Sequence, residues 1–115
     1  MRPCAVRIWT TDLEKSRAFY TETLPFEVKI DGAEDGYIII GTPSIDLLLE
    51  ADDGEWSARH TALSFWVDDI HDAFHELTEK GVEFVCEPEQ QFWGGWLADF
   101  KDCSGNILTL VQNPK

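Results

Sequence analysis

The sequence predicts an α+β fold made of one unit used twice, each unit a strand, a helix and three further strands (βαβββ). Three observations predict it. Trp9-Thr10-Thr11-Asp12-Leu13 opens one helical stretch and Trp66-Val67-Asp68-Asp69-Ile70 opens another, each after a short apolar run. Strand-like runs follow each helix and end at Ile45–Leu49 in the first half and Ile107–Val111 in the second. The order of elements is the same in both halves. The 115 residues suit one domain, with module one over about 4–50 and module two over about 60–112.

Taken in order, Cys4–Trp9 reads as the first strand. Val6 and Ile8 point one way and Ala5, Arg7 and Trp9 the other, by the period of two. Thr11 three residues ahead of Glu14 fits a capping box, and Asp12 is the competing N-cap. Leu13, Ser16, Arg17, Tyr20 and Leu24 recur at helical spacing until Pro25 ends the helix. Phe26–Ile30, Tyr37–Ile40 and Ile45–Glu50 are the next strands. They are separated by the turn-rich Asp31–Gly36 and by Gly41-Thr42-Pro43. The polar stretch Ala51–Arg59, with Asp52, Asp53 and Glu55, joins the halves.

In the second half Thr61–Val67 reads as a strand. Asp69 caps a helix whose buried face is Ile70, Ala73, Phe74 and Leu77, and Lys80-Gly81 closes it. Val82–Cys86 is expected as a strand, Glu87–Gly95 as a loop, Trp96–Lys101 as a strand and Asp102–Asn106 as a tight turn. Ile107–Val111 is the last strand.

The apolar fraction of 43%, with five Trp, two Tyr and seven Phe, is enough for a packed core. The formal charge of −13 opposes binding to nucleic acid or anionic membranes. It favours cationic partners, or simply solubility. Three cysteines without a CxxC pair point to free thiols in a reducing compartment, with Cys4 expected in the core. No apolar stretch is long enough for a transmembrane helix, and Met-Arg-Pro is not followed by the apolar run of a secretory signal, so a cytoplasmic location is expected.

The order of elements, with Asp12-Leu13, Ser16 and Phe19-Tyr20 in the first half, resembles the vicinal oxygen chelate superfamily. So do Phe65-Trp66-Val67-Asp68-Asp69-Ile70 and Phe100-Lys101-Asp102-Cys103-Ser104-Gly105-Asn106-Ile107-Leu108 in the second. That group includes glyoxalase I, the extradiol dioxygenases and the fosfomycin and bleomycin resistance proteins. Phe100–Leu108 is similar to the family's Phe-x-Asp-Pro-x-Gly-Asn-x-Leu signature, with Cys103 in place of Pro. The resemblance implies that the modules curl into half-barrels whose concave face makes the site, and that the protein is a homodimer.

It also implies where a divalent metal would be held. Counted from these signposts, the ligand positions fall at Ala5, near Leu47, at Ala62 and at Thr109. None is a good ligand, since a neutral hydroxyl is too weak to hold the ion alone. No metal or other cofactor is therefore expected. The alternative is a divalent metal on His60, Glu50 and Asp46, reached only if a bulge shifts the strand register. Otherwise His60 is a surface residue. His71 and His75, at i and i+4, read as solvated on the outer helix face.

By parity the cavity face carries Ala5, Arg7 and Trp9, then Ala62, Ser64 and Trp66, then Ile107, Thr109 and Val111. Val6, Ile8, Leu63, Phe65, Leu108 and Leu110 take the core side. Trp9 and Trp66 either bind a flat or cationic ligand or fill the half-barrel as packing. Arg7 either pairs with an acidic group such as Glu50 or receives an anionic ligand group. Phe92-Trp93-Gly94-Gly95-Trp96 reads as a mobile aromatic flap that covers a ligand or another subunit. Candidate ligand-binding residues are thus Arg7, Trp9, Ser64, Trp66, Phe92, Trp93, Trp96 and Thr109. No nucleophile constellation or phosphate loop is present, so no catalytic residue is assigned.

Two functions follow. One is a metal-free protein, similar to the bleomycin resistance proteins, that sequesters a cationic or aromatic small molecule and so confers antibiotic resistance. The other is a metal-dependent lyase, isomerase or dioxygenase of the glyoxalase I type, in which the ion polarises paired substrate oxygens.

Overall fold

The computed structural model describes residues 1–52 and 60–115. The expected acidic connection beyond Asp52, with Asp53 and Glu55, lies outside the described residues, as do the side chains of His60 and Ala62. Two compact units follow the two modules, Met1–Ala58 and Arg59–Lys115.

In the first unit, β1 (Ala5–Thr10), β2 (Glu27–Gly32), β3 (Tyr37–Gly41) and β4 (Asp46–Ala51) form a sheet of order β1-β4-β3-β2. β1 runs parallel to β4, and the other neighbours are antiparallel. The helix α1 (Leu13–Ala18) starts at Asp12, not Thr11: Asp12 is extended, and its Oδ1 accepts from Lys15 N at 3.1 Å. Thr10 at the end of β1 accepts from Asp12 N at 3.1 Å and is hydrogen-bonded to the buried Ser16 hydroxyl, which anchors the helix to the strand. α1 then widens into a π-helical turn, Phe19–Thr23, closed by Leu24 N donating to Phe19 O at 2.9 Å. Pro25 ends it, as expected. Tyr20 and Leu24 are both buried.

The alternation read from the sequence sets the core. Ile8, Ile38, Ile40, Leu47 and Leu49 are at most 1% exposed and share the face beneath α1, which packs on β3 and β4. Each such side chain contributes roughly 1.5–3 kcal/mol by leaving water.

In the second unit, β5 (His60–Trp66), β6 (Glu89–Gln90), β7 (Trp96–Lys101) and β8 (Ile107–Gln112) form a sheet of order β5-β8-β7-β6. The helix α2 (Ile70–Glu79) is capped by Asp69, whose Oδ1 accepts from His71 N and Asp72 N. It ends as expected at Gly81, whose φ of 91° is left-handed, with Val82 N donating back to Leu77 O at 3.0 Å. Ile70, Leu77, Val82, Ala98, Phe100, Leu108 and Leu110 form the buried core.

The expected strand Val82–Cys86 does not form. That segment makes one isolated bridge, Phe84 to Phe100, and its Phe84 ring packs between Phe74 at 4.7 Å and Phe100 at 5.6 Å. Pro88 lacks a donor, so pairing with β7 resumes only at Glu89 and Gln90. The turn between β7 and β8 follows the sequence reading. Asp102 Oδ1 accepts from Ser104 N and Asn106 N, both at 2.9 Å, and Asn106 Nδ2 donates to Asp102 Oδ2 at 3.0 Å. Gly105 supplies the positive φ, 83°. Cys4, Cys86 and Cys103 are free and exposed; Cys4 precedes β1 and is not in the core. No helix among the described residues is long and apolar enough to cross a membrane.

Candidate functional site

Each sheet has one face under its helix and one face turned away from it. In the first unit the register places Arg7 beside Leu48 and Ile39, and Trp9 beside Glu50 and Tyr37, on the face away from α1. The Arg7 guanidinium sits 5.3 Å over the centre of the Trp9 ring, and its Nε lies 3.5 Å from Glu50 Oε2. Arg7 therefore pairs with Glu50, one of the two roles open to it from the sequence. The aromatic ring, the cation and the carboxylate form one cluster supplied wholly by the chain. Ala5 lies on the same face beside Asp46, which is held by Lys29 at 2.8 Å.

In the second unit the equivalent face carries Ser64 beside Thr109 and Asp99, and Trp66 beside Val111 and Leu97. Thr109 Oγ1 donates to Asp99 Oδ1 at 2.7 Å, which fixes the carboxylate next to the Ser64 position. Trp66 is 71% exposed, and no cation lies over its ring among the described residues. Ser64 stands two residues before Trp66, where Arg7 stands two before Trp9. Lys101, on the same face as Asp99, is paired with Glu83 at 2.8 Å, so among the described residues the second unit presents the aromatic ring and the carboxylate with no chain cation over the ring. Asp99 was missed in the sequence; alternation along Trp96–Lys101 carries its signal, since it sets Leu97, Asp99 and Lys101 on one face.

The expected metal positions do not fit a divalent ion. Leu47 lies on the helix face, fully buried; Asp46, Leu48 and Glu50 occupy the opposite face with no bulge in β4. Asp46 and Glu50 stand four residues apart along one strand, roughly 13 Å, whereas two ligands of one ion stand within about 5 Å. A register shift does occur in β5, where His60 pairs with Ile107 and Ser64 with Thr109. Thr61 holds it, donating to Ile107 O and accepting from Leu63 N, each at 3.0 Å. Among the described residues no three His, Cys, Asp or Glu side chains gather as a metal group.

The segment expected as an aromatic flap is a tight turn joining β6 to β7. Gln91 N donates to Gly95 O at 2.8 Å and Gly94 N to Gln91 O at 2.9 Å. Its glycines serve this turn rather than a hinge: Gly94 has φ of 94°, and the Trp93 ring covers the place where a Cβ on Gly95 would stand. Phe92 is fully exposed at the tip, and Trp93 partly so. Trp96 is separated from Ser64, Trp66 and Thr109. It faces α2, edge-on to His71 with ring centroids 4.8 Å apart. His71 and His75 are both exposed.

Two acidic groups are held below the ordinary carboxylate range. Asp31 is lowered chiefly by the hydrogen bond from Arg17, at 2.6 Å, and then by Ala33 N. Asp69 is lowered by the backbone N–H of Asp72, against a partial desolvation effect, and further by His71 N and the charge of Lys115.

This arrangement of strands and helices is shared with known proteins. A solved structure from Sphaerobacter thermophilus DSM 20745, described as a member of the glyoxalase/bleomycin resistance protein/dioxygenase superfamily, matches with a TM-score of 0.87 and 30% identity over 98% of both chains. The lactoylglutathione lyase structure from Agrobacterium tumefaciens matches with a TM-score of 0.82 over 97% of this chain and 93% of that one; at 15% identity it speaks for the fold alone. The protein YetH of Bacillus subtilis (strain 168) is 27% identical over 114 residues, 93% of this chain and 94% of YetH. The family model for the Glyoxalase/Bleomycin resistance protein/Dioxygenase superfamily matches residues 4–110, and the chain belongs to that superfamily.

Proposed function

We propose that this protein binds a cationic, aromatic-bearing small molecule without a metal, in the manner the resemblance to bleomycin resistance proteins implies. One observation carries the reading. The first unit builds a complete ring–cation–carboxylate cluster from Trp9, Arg7 and Glu50. The second repeats the ring and a carboxylate, Trp66 and Asp99, but has Ser64 where the cation would come from. A ligand cation takes the part that Arg7 plays in the first unit, held by the Trp66 face and the Asp99 charge. The net charge of −13 raises the local concentration of such a ligand and makes capture sensitive to salt. The metal-dependent reading has less support, because Asp46 and Glu50 are already paired with Lys29 and Arg7.

Ser64→Arg tests the reading directly. Titration with a quinolinium dye, followed by Trp fluorescence at two salt concentrations, is expected to show saturable binding that weakens with salt. The variant supplies its own cation and is expected to bind about tenfold more weakly, a loss of roughly 1.4 kcal/mol. Equal binding by the variant, or equal binding of an uncharged quinoline, sinks the reading. One tightly held metal ion per chain, retained through dialysis, would instead favour the metal-dependent enzyme.

A further inference from the structure

A cleft of about 410 Å³ lies at the start of α2, within the second unit and on the helix side of its sheet, lined by Asp69, His71, Gln90, Trp96, Gln112 and Lys115 among others. It is on the opposite face from Trp66, and the proposed function makes no use of it. Trp96 and His71 form an aromatic wall. Gln112 is only 7% exposed; its Oε1 accepts from Ile70 N at 2.7 Å, and its Nε2 donor has no partner among the described residues. Asp69 takes both of its backbone N–H groups on Oδ1, which leaves Oδ2 to the cleft. Gln112 and Asp69 cap adjacent residues, Ile70 and His71, so their heads stand side by side: one unused donor next to one unused acceptor.

The Gln112 side chain is thus more than nine-tenths buried and held by the first turn of α2, while its Nε2 is open to the cleft, a fixed donor that a ligand can use. The ligand's chemistry follows from the edge. It needs an acceptor for Gln112 Nε2 beside a donor for Asp69 Oδ2, and a flat body to lie along Trp96. Lys115 offsets the Asp69 charge, which favours a neutral molecule, and the overall charge of −13 disfavours a phosphate. We propose that this cleft is a second binding site, for a small neutral nitrogen heterocycle that carries an amino group next to a ring nitrogen.

The test uses adenine as the probe and purine, which lacks the amino group, as its control. Both are titrated into isotope-labelled full-length protein, and the Trp indole and Gln side-chain N–H signals are followed by NMR. Adenine is expected to saturate, shifting Trp96 and Gln112, and purine to bind about tenfold more weakly or worse. Gln112→Glu and Asp69→Asn each keep an oxygen for the backbone N–H they cap and exchange the group facing the cleft, donor for acceptor in the first and acceptor for donor in the second, each with a change of one charge. Each is expected to melt below the parent, to keep its dispersed amide spectrum at about 25 °C, and to lose about tenfold in adenine affinity there. Adenine that does not saturate, purine that binds as well, or variants that both bind like the parent would overturn the site. Shifts confined to Trp9 and Trp66 would also overturn it, while leaving the proposed function untouched.

Discussion

The two modules solve the same topology with different local chemistry. β1 and β4 pair without interruption, whereas β5 and β8 accommodate a bulge held by Thr61. α1 dissolves into a π-helical turn before Pro25, whereas α2 runs regularly to Gly81. The last turns differ too. In the first module Thr42 bonds to Ile45 O and accepts from Ser44 N and Ile45 N. In the second, the buried Asp102 accepts three hydrogen bonds at the equivalent place. The difference teaches that the repeat conserves where strands pair and which face is buried, and leaves caps, turns and the outward face free to diverge. A binding site can then arise in one copy from a residue that is structural in the other.

The comparison breaks most sharply in the core. Ile40 and Phe100 each stand one residue before the strand end that meets β4 or β8. Phe100→Ala is expected to cost about 3–5 kcal/mol and Ile40→Ala about 2–5 kcal/mol, measured by urea unfolding. Next come the turns. Asp102→Ala strands buried N–H groups and is expected to cost about 2–3 kcal/mol, against about 1 kcal/mol for Thr42→Ala. Equal losses would mean the two turns are energetically interchangeable.

Glycines sharpen it further. The three atoms nearest to a Cβ on Gly32 all belong to the Tyr37 ring, a side chain that can swing aside; a Cβ on Gly95 meets the Trp93 ring and also Gln112 O at 2.6 Å, which cannot. Gly95→Ala is expected to destabilise by about 1–3 kcal/mol and Gly32→Ala by less.

The smallest effect is at the helix caps. Asp69 accepts two backbone N–H groups and Asp12 one. Because the folded-state pKa of Asp69 is lowered, its contribution is full above its ordinary value of 3.8 and is lost as pH falls through the depressed folded value. Melting temperatures of Asp69→Ala and the parent are therefore expected to differ at pH 7 and to converge in strong acid. A constant difference across that range would show that the cap acts through something other than its charge.

Much of this was legible along the chain. The period of two in Cys4–Trp9, Thr61–Val67 and Ile107–Val111 assigned Trp9, Ser64, Trp66 and Thr109 to one kind of face and Ile8, Leu108 and Leu110 to the other. The Asp102–Asn106 turn followed from its residue types. Asp46, Glu50 and Trp96 were harder. Their faces depend on where a strand begins, and one residue of slip reverses every side chain. The tight turn at Phe92–Trp96 was not legible, because glycine permits both a hinge and a tight turn, and only neighbouring atoms decide between them.

By itself the sequence determined the order of elements, their periodicity, the caps and the closing turn, because these rest on contacts between residues a few positions apart. The tertiary structure alone decided that Arg7 is spent on Trp9 and Glu50, that Asp99 is fixed beside Ser64, and that Gln112 reaches the first turn of α2. Those contacts join residues distant in the chain, and their geometry is set by strand register and packing rather than by any local pattern.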